Sequence, residues 1–301
     1  MKLNPKYSLG SWAFSFGPFA KAPWPFDTFC DYARAAGYDG VEINGFRPHP
    51  HPDDYATPAK RRELKKKIGD RGLGISGYAP DFTAVPPAEA KVEDYLATVS
   101  KCLDFCHDVE TKILRVDTVS PPRPLPHDEY ERRFARLCRT WHAAAEKCLE
   151  EGMMLVWEFE PGFWLNKPTE IVRLIRSVDH PNFKALFDSS HAYMSGVVAS
   201  RQSGDPERLA GGVPEFARLL RGLIGHVHFI DSDGTLHDNE TSTHAPFGTG
   251  FVDFAALLRE MRPDLEKLEW WCFDFCFCPT TERDAKSAIA FMNKVVTGVN
   301  A

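Results

Sequence analysis

The sequence has no run of about 18 or more apolar residues, the length a membrane-spanning helix needs, so no segment is expected to cross a bilayer. It has no basic excess: 36 lysines and arginines face 42 aspartates and glutamates, a net charge of −6. Duplex binding rests on neutralising phosphates, so nucleic acid is excluded as an expected partner. It has no G-x-G-x-x-G and no G-x-x-x-x-G-K-[ST], the glycine turns that cradle a dinucleotide or a nucleoside triphosphate. No signal-peptide pattern opens it, and its eight cysteines do not form the dense framework of a small secreted domain. They are read as reduced thiols in a cytoplasmic protein. Cys102 and Cys106 share a helix face and read as core. Cys276 and Cys278 form a C-x-C pair, but no second Cys/His pair stands at zinc-finger spacing.

What is present is ordinary globular composition, 43% hydrophobic and 26% charged over 301 residues, enough to bury a sizeable core. Short apolar runs alternate with segments of helical period. The runs cover 7–16, 40–45, 74–80, 112–119, 153–160, 183–191, 224–231 and 268–277. Helical faces separate them, for example Phe134, Leu137, Cys138, Trp141, Ala145 and Cys148 after the fourth run. Thr57-Pro58 is a helix start, a capping residue before proline at the first helical position. The basic stretch KRRELKKK at 60–67 lies on that helix and reads as its solvated outer face. Eight strand–helix units with no evident linker predict a parallel sheet covered by helices, closed as a (β/α)8 TIM barrel. Residues 1–301 are read as one catalytic domain. An open doubly wound sheet is the alternative, and the missing glycine turn argues against it.

A barrel of this kind carries its active site at the C-terminal ends of the strands. Four consecutive runs carry polar residues late: Glu158 and Glu160, then Asp188 and His191, then His226 and His228, then Asp274. Residues two apart share a strand face, so Glu158 pairs with Glu160 and His226 with His228. Carboxylates and imidazole converging on one mouth suit Mn, Mg, Co or Zn better than copper or an iron–sulfur cluster. A single such residue can be a hydrogen-bonded core group. Four strands in a row argue for a site, because ionised groups gathered at one mouth need a cation or hydrogen bonds to compensate them.

Several motifs together resemble the xylose-isomerase-like barrel superfamily, the sugar phosphate isomerase/epimerase family. They are AGYDGVEING after the first helix, WEFEPG in strand five, FDSSHAYM in strand six, HVHFIDSDG in strand seven and FGTGFVDFAALL beyond it. The resemblance covers nearly the whole chain. It implies a divalent metal, manganese first, held by Glu158, Asp188, His228 and Asp274. It implies a sugar isomerase or epimerase that moves a proton next to a carbonyl through a metal-stabilised enediolate. Glu158 and Asp274 are then the candidate catalytic carboxylates, with Glu160 as an alternative base. His191 and His226 would orient hydroxyls, and Trp12, Arg115 and His244 are further substrate-binding candidates. Two departures stand out. The fourth ligand is usually Glu and is here Asp274, which is shorter; Glu269 lies early in the same run, at the wrong end. Many relatives have Asn-His after the strand-five Glu, where this chain has Phe159-Glu160.

The same chemistry gives elimination when a leaving group sits β to the carbonyl. Some members of the superfamily are C-glycoside deglycosidase large subunits, which cleave 3-oxo-glucosides of plant polyphenols beside a small β-sandwich partner. The expected ligand is therefore a small-molecule sugar or glycoside. The expected assembly is a homo-oligomer, or a hetero-oligomer with a small β subunit. Trp12, Phe14, Phe16, Trp24, Tyr78, Phe163 and Trp164 could stack on a flat aglycone, although core packing is the commoner use of aromatics. The superfamily's apurinic endonucleases need more histidines and a basic face. A non-catalytic sugar-binding barrel is the remaining alternative. Glu42, Arg115 and Asp117 could face the mouth or form ion pairs. His49 and His51 stand in a proline-rich loop and read as exposed. The loop at 195–212 reads as a lid or an oligomer contact.

Overall fold

The structure is a computed structural model and describes residues 2–301. Among the described residues, eight parallel strands close into a barrel. Seven follow in chain order: β1 (Lys6–Gly10), β2 (Gly40–Gly45), β3 (Gly74–Pro80), β4 (Ile113–Val116), β5 (Met154–Glu158), β6 (Phe183–Asp188) and β7 (Ile224–Phe229). After β7 comes an antiparallel hairpin outside the barrel, β8 (Asp231–His237) and β9 (Thr241–Ala245), and β10 (Trp270–Phe273) then closes the ring between β7 and β1.

The outer layer is α1 (Phe26–Ala35), α2 (Pro58–Asp70), α3 (Val92–Val109), α4 (His127–Glu150), α5 (Pro168–Val178), short α6 (Ser189–Tyr193), α7 (Gly212–Leu219), α8 (Phe254–Leu265) and α9 (Thr281–Asn300). Apart from α6, each lays an apolar stripe on the sheet, as helical periodicity dictates; α6 buries Ser189, Ser190, His191 and Ala192. On α4 the buried stripe includes Phe134, Leu137, Trp141, Ala145 and Cys148. Its Trp141 packs on Trp157 of β5 and Phe183 of β6, with ring centres 5.5 and 5.3 Å away. A fully buried side chain of this size contributes about 1.5–3 kcal/mol. The Thr57 side chain caps α2 by accepting from the Lys60 N–H at 3.4 Å, and Pro58 follows it. Most of the basic stretch on α2 faces solvent, but Arg61 is buried and bonded to Asp108 at 2.7 Å.

The strands are shorter than the apolar runs that mark them. The run at 153–160 gives a strand ending at Glu158, and the run at 268–277 gives one ending at Phe273. The run at 183–191 likewise gives a strand ending at Asp188. The polar ends of these three runs leave the ladder and line the barrel mouth, which places Glu160, His191 and Asp274 there. The hairpin is absent from the strand pattern read above. Its turn carries Asp238 and Asn239 at positive φ, 50° and 58°. That is the pair of left-handed residues a tight type I′ hairpin turn needs, and HDNE between two alternating segments is its signal. All eight cysteines are free, and no helix among the described residues is long and apolar enough to cross a membrane.

Candidate metal and substrate site

Glu158, Asp188, His228 and Asp274 each offer a ligand atom, and these four atoms lie within 4.8 Å of one another. Adjacent strand ends put them there, since β5, β6, β7 and β10 are neighbours in the barrel. All four side chains are buried. Each is fixed by a partner that leaves one ligand atom directed at the group.

Glu158 has one oxygen on Arg115, with Nε at 2.6 Å, and the other on His228 Nδ1 at 2.8 Å. Asp188 ends β6 and caps α6: Oδ1 accepts from the His191 N–H at 2.7 Å, while Oδ2 is buried with no hydrogen-bond partner. His228 directs Nδ1 at the carboxylates, 2.8 Å from Glu158 and 3.7 Å from Asp274 Oδ2. Its Nε2 lies 3.1 Å from Glu42. This is the arrangement in which an outer carboxylate fixes the ring of a metal-binding histidine. Asp274 Oδ1 accepts from Trp12 Nε1 and from the Cys276 N–H, both at 2.7 Å.

Electrostatics follow from this packing. Burial pushes Glu158 up, but Arg115 and then His228 outweigh it and hold it well below the usual carboxylate range. Burial works to lower His228, but Glu42 and Glu158 on either side raise it well above its ordinary value. Burial, with Asp274 and Glu158 nearby, pushes Asp188 up to about 7 against the pull of His244. Burial pushes Glu160 up to about 8; the Thr241 hydroxyl opposes this and Glu158 adds to it. His244 is lowered by burial, yet Asp274, Asp188 and Glu158 outweigh that and push it up to about 9.

The residues fit a divalent ion. Three carboxylates and one imidazole are a hard-to-borderline donor set. The orphaned Asp188 oxygen adds to the case, because a buried polar atom without a partner costs about 1–3 kcal/mol.

A cavity of about 450 Å³ opens above the quartet. Glu158, Glu160, Arg115, His191, His244, Trp12 and Asp274 all line it. Glu160 accepts a hydrogen bond from Thr241 of β9. Phe159, between the two glutamates, points outward and packs on Phe216 at 5.1 Å, so Glu158 and Glu160 do share the inner side. His191 Nδ1 lies 2.8 Å from Ser242 Oγ. His244 Nδ1 approaches Asp274 Oδ1 to 3.2 Å at an angle too poor for a hydrogen bond, and its Nε2 has no partner.

Other expectations are corrected. His226 is not among the residues that line the cavity; it is buried with Nε2 on Glu42 at 2.7 Å. Arg115 does reach the cavity, but its guanidinium is spanned between Glu158 and Asp117, with Nη1 to Asp117 at 2.9 Å. His49 is buried, not exposed, between Ser11 Oγ and the Trp24 carbonyl at 3.1 Å each. Of the aromatics, Phe14, Tyr78 and Trp164 pack in the interior and Trp24 lies half-buried against it, while Trp12, Phe16 and Phe163 reach the cavity. Phe46 and Phe277 line it as well and were not among the aromatics singled out. Within 195–212 Arg201 lines the cavity and donates to the Glu240 carbonyl at 2.7 Å. Glu42, offered only as a possible mouth residue, holds both histidines of the H-x-H; the even spacing of that motif was the signal for it.

A family pattern described as Xylose isomerase-like TIM barrel matches residues 30–295. The chain is similar to the inosose dehydratase of Bacillus anthracis, 25% identical over 171 residues, 54% of this chain and 53% of that protein. It thus spans about half the length of the curated relatives it matches. Two solved structures share its fold. One is the probable 3-DHS dehydratase of petrobactin synthesis from Bacillus anthracis, TM-score 0.70, 17% identity, covering 96% of this chain and 98% of that one. The other is D-psicose 3-epimerase from Clostridium cellulolyticum H10, TM-score 0.70, 14% identity, covering 97% and 99%. The proteins it resembles are sugar-modifying enzymes, and the chain belongs to the xylose isomerase-like TIM barrel family.

Proposed function

We propose that the chain is a divalent-metal-dependent enzyme that removes the proton next to the carbonyl of a sugar-like substrate. The observation that carries this is the buried quartet Glu158, Asp188, His228 and Asp274, of which Glu158 and Asp274 line the cavity. When bound there, a divalent ion supplies Lewis-acid charge for the negative oxygen that proton removal creates. Manganese is our first choice of ion.

The chain's own groups divide the remaining work. Both oxygens of Glu158 are engaged, by Arg115 and His228, which suits a ligand better than a proton carrier. Asp274 is held by two N–H donors on one oxygen. Glu160 faces the cavity with the Thr241 hydroxyl as its hydrogen-bond donor; His191 Nε2 stands 4.0 Å away, beyond hydrogen-bond reach. We therefore assign proton transfer to Glu160, ahead of Glu158 and Asp274. His191 and His244 face the same space and would bind substrate oxygens.

Isomerisation or epimerisation returns the proton; elimination expels a group instead. One observation favours elimination. The outer cavity is walled by Phe16, Phe46, Phe163 and Phe277, which suits an apolar leaving group more than a free ketose. A 3-oxo-glycoside with an aromatic aglycone combines both halves, and the inosose dehydratase named above is, by its name, an elimination enzyme. Alanine at Asp188 or His228 is expected to abolish bound metal and turnover together. Turnover of a 3-oxo-glucoside panel against a free ketohexose panel reads which fate operates. Unchanged metal content and rate in both variants would remove the proposal.

A further inference from the structure

We propose that Trp12 is a positioning residue for the cation site: its indole N–H fixes the carboxylate of Asp274 while its ring braces His228. The inference rests on the reading of the quartet as a cation site.

Asp274 is one methylene shorter than the Glu expected at this position, and its carboxylate torsion is intrinsically broad. A short side chain with a free torsion makes a poor ligand unless something sets its plane. Two donors meet on Oδ1, the Trp12 indole and the Cys276 N–H, both at 2.7 Å. Oδ2 is left facing His228 Nδ1 at 3.7 Å. The indole of Trp12 also lies against the His228 ring, with centres 5.0 Å apart and planes inclined by 35°. One side chain therefore touches two of the four candidate ligands. It comes from the turn after β1, and β1, β10 and β7 are consecutive around the barrel, so Trp12 bridges the seam where the ring closes. The fold makes room for it at Gly10, where an added Cβ would lie 2.2 Å from the indole. Trp12 is buried, 6% exposed as a residue, so its hydrogen bond does not compete with bulk water.

The test separates the N–H from the ring. Replacing Trp12 by 3-benzothienylalanine keeps the shape and the stacking and removes the donor; Trp12→Phe removes the donor and shrinks the ring. Metal-free full-length protein is titrated with Mn2+ by calorimetry, and the visible d–d absorption of the Co2+-saturated protein is recorded. The benzothienyl variant is expected to bind Mn2+ ten- to hundredfold more weakly, the usual effect of losing a residue that orients a ligand. Its Co2+ band is expected to shift, because a reoriented Asp274 changes the ligand field. Wild-type affinity in this variant overturns the inference. So does weaker binding with an unshifted Co2+ band at saturation, which marks a purely structural role. If the wild-type chain takes up neither ion, the cation reading itself fails and the inference falls with it.

Discussion

Glu158 and Glu160 are two residues apart on one side of the chain, yet their surroundings separate them. Arg115 and His228 hold Glu158 ionised, while burial and the charge of Glu158 favour a proton on Glu160. Two carboxyls pushed apart in this way are a common basis for acid and base roles. Glu160→Gln keeps the size and the Thr241 contact and removes the proton carrier. It is expected to lower turnover about 10²- to 10⁴-fold with bound metal unchanged. A rate within a few-fold of wild type, at full metal loading, would return the role to Glu158 or Asp274. The sequence placed both glutamates correctly at the strand end. It could not rank them, because Arg115 lies on a different strand and Thr241 on a hairpin 81 residues away.

At the scale of elements, the segment after β7 explains a motif that the sequence offered only as a family mark. Asp231 accepts four backbone N–H groups: Ser232 and Val252 on Oδ1, Gly248 and Gly250 on Oδ2, all at 2.9–3.0 Å. One buried carboxylate thus ties the start of β8 to the FGTGFVDF loop. Gly250 is required by that contact, since a Cβ there would lie 2.3 Å from the Ser232 carbonyl. The hairpin so anchored supplies Thr241 and His244 to the cavity, and its His237 stacks on Phe277 at 4.3 Å. Asp231→Ala leaves those four N–H groups without their acceptor. It is expected to cost about 2–4 kcal/mol of stability and to lower turnover by loosening Thr241. Denaturant titration reads the first effect, and an unchanged midpoint would show that the loop is held by other contacts.

At the scale of the whole molecule, the barrel gathers Glu42, Asp117, Glu158, Glu160, Asp188 and Asp274 into its interior. Arg115, His228 and His244 provide the opposing charge. A bound divalent ion would add positive charge where Asp188 has an oxygen without a partner. Native-state binding stabilises by mass action, about 2.7 kcal/mol at a free ion concentration a hundredfold above Kd. Mn2+ is therefore expected to raise the melting temperature by several degrees and a chelator to reverse it. The Asp188→Ala protein should show little response. A wild-type melting curve indifferent to Mn2+, Mg2+, Co2+ and Zn2+ would contradict a cation site.

The strand–helix alternation is legible along the chain, because burying strands under helices imposes hydrophobic periodicity on local stretches. The sequence also placed the polar residues of four consecutive runs at one mouth, because a parallel barrel sends every strand's C-terminal end to one face; the choice of Glu158, Asp188, His228 and Asp274 among them came from the family resemblance. Tertiary structure decided the rest. Only closure of the ring between β10 and β1 brings Trp12 onto Asp274, residues 262 apart. Only packing across the barrel puts Glu42 beneath His226 and His228, and buries His49 where loop composition suggested exposure. Those pairings depend on long-range contacts and desolvation, which leave no periodic trace along the chain.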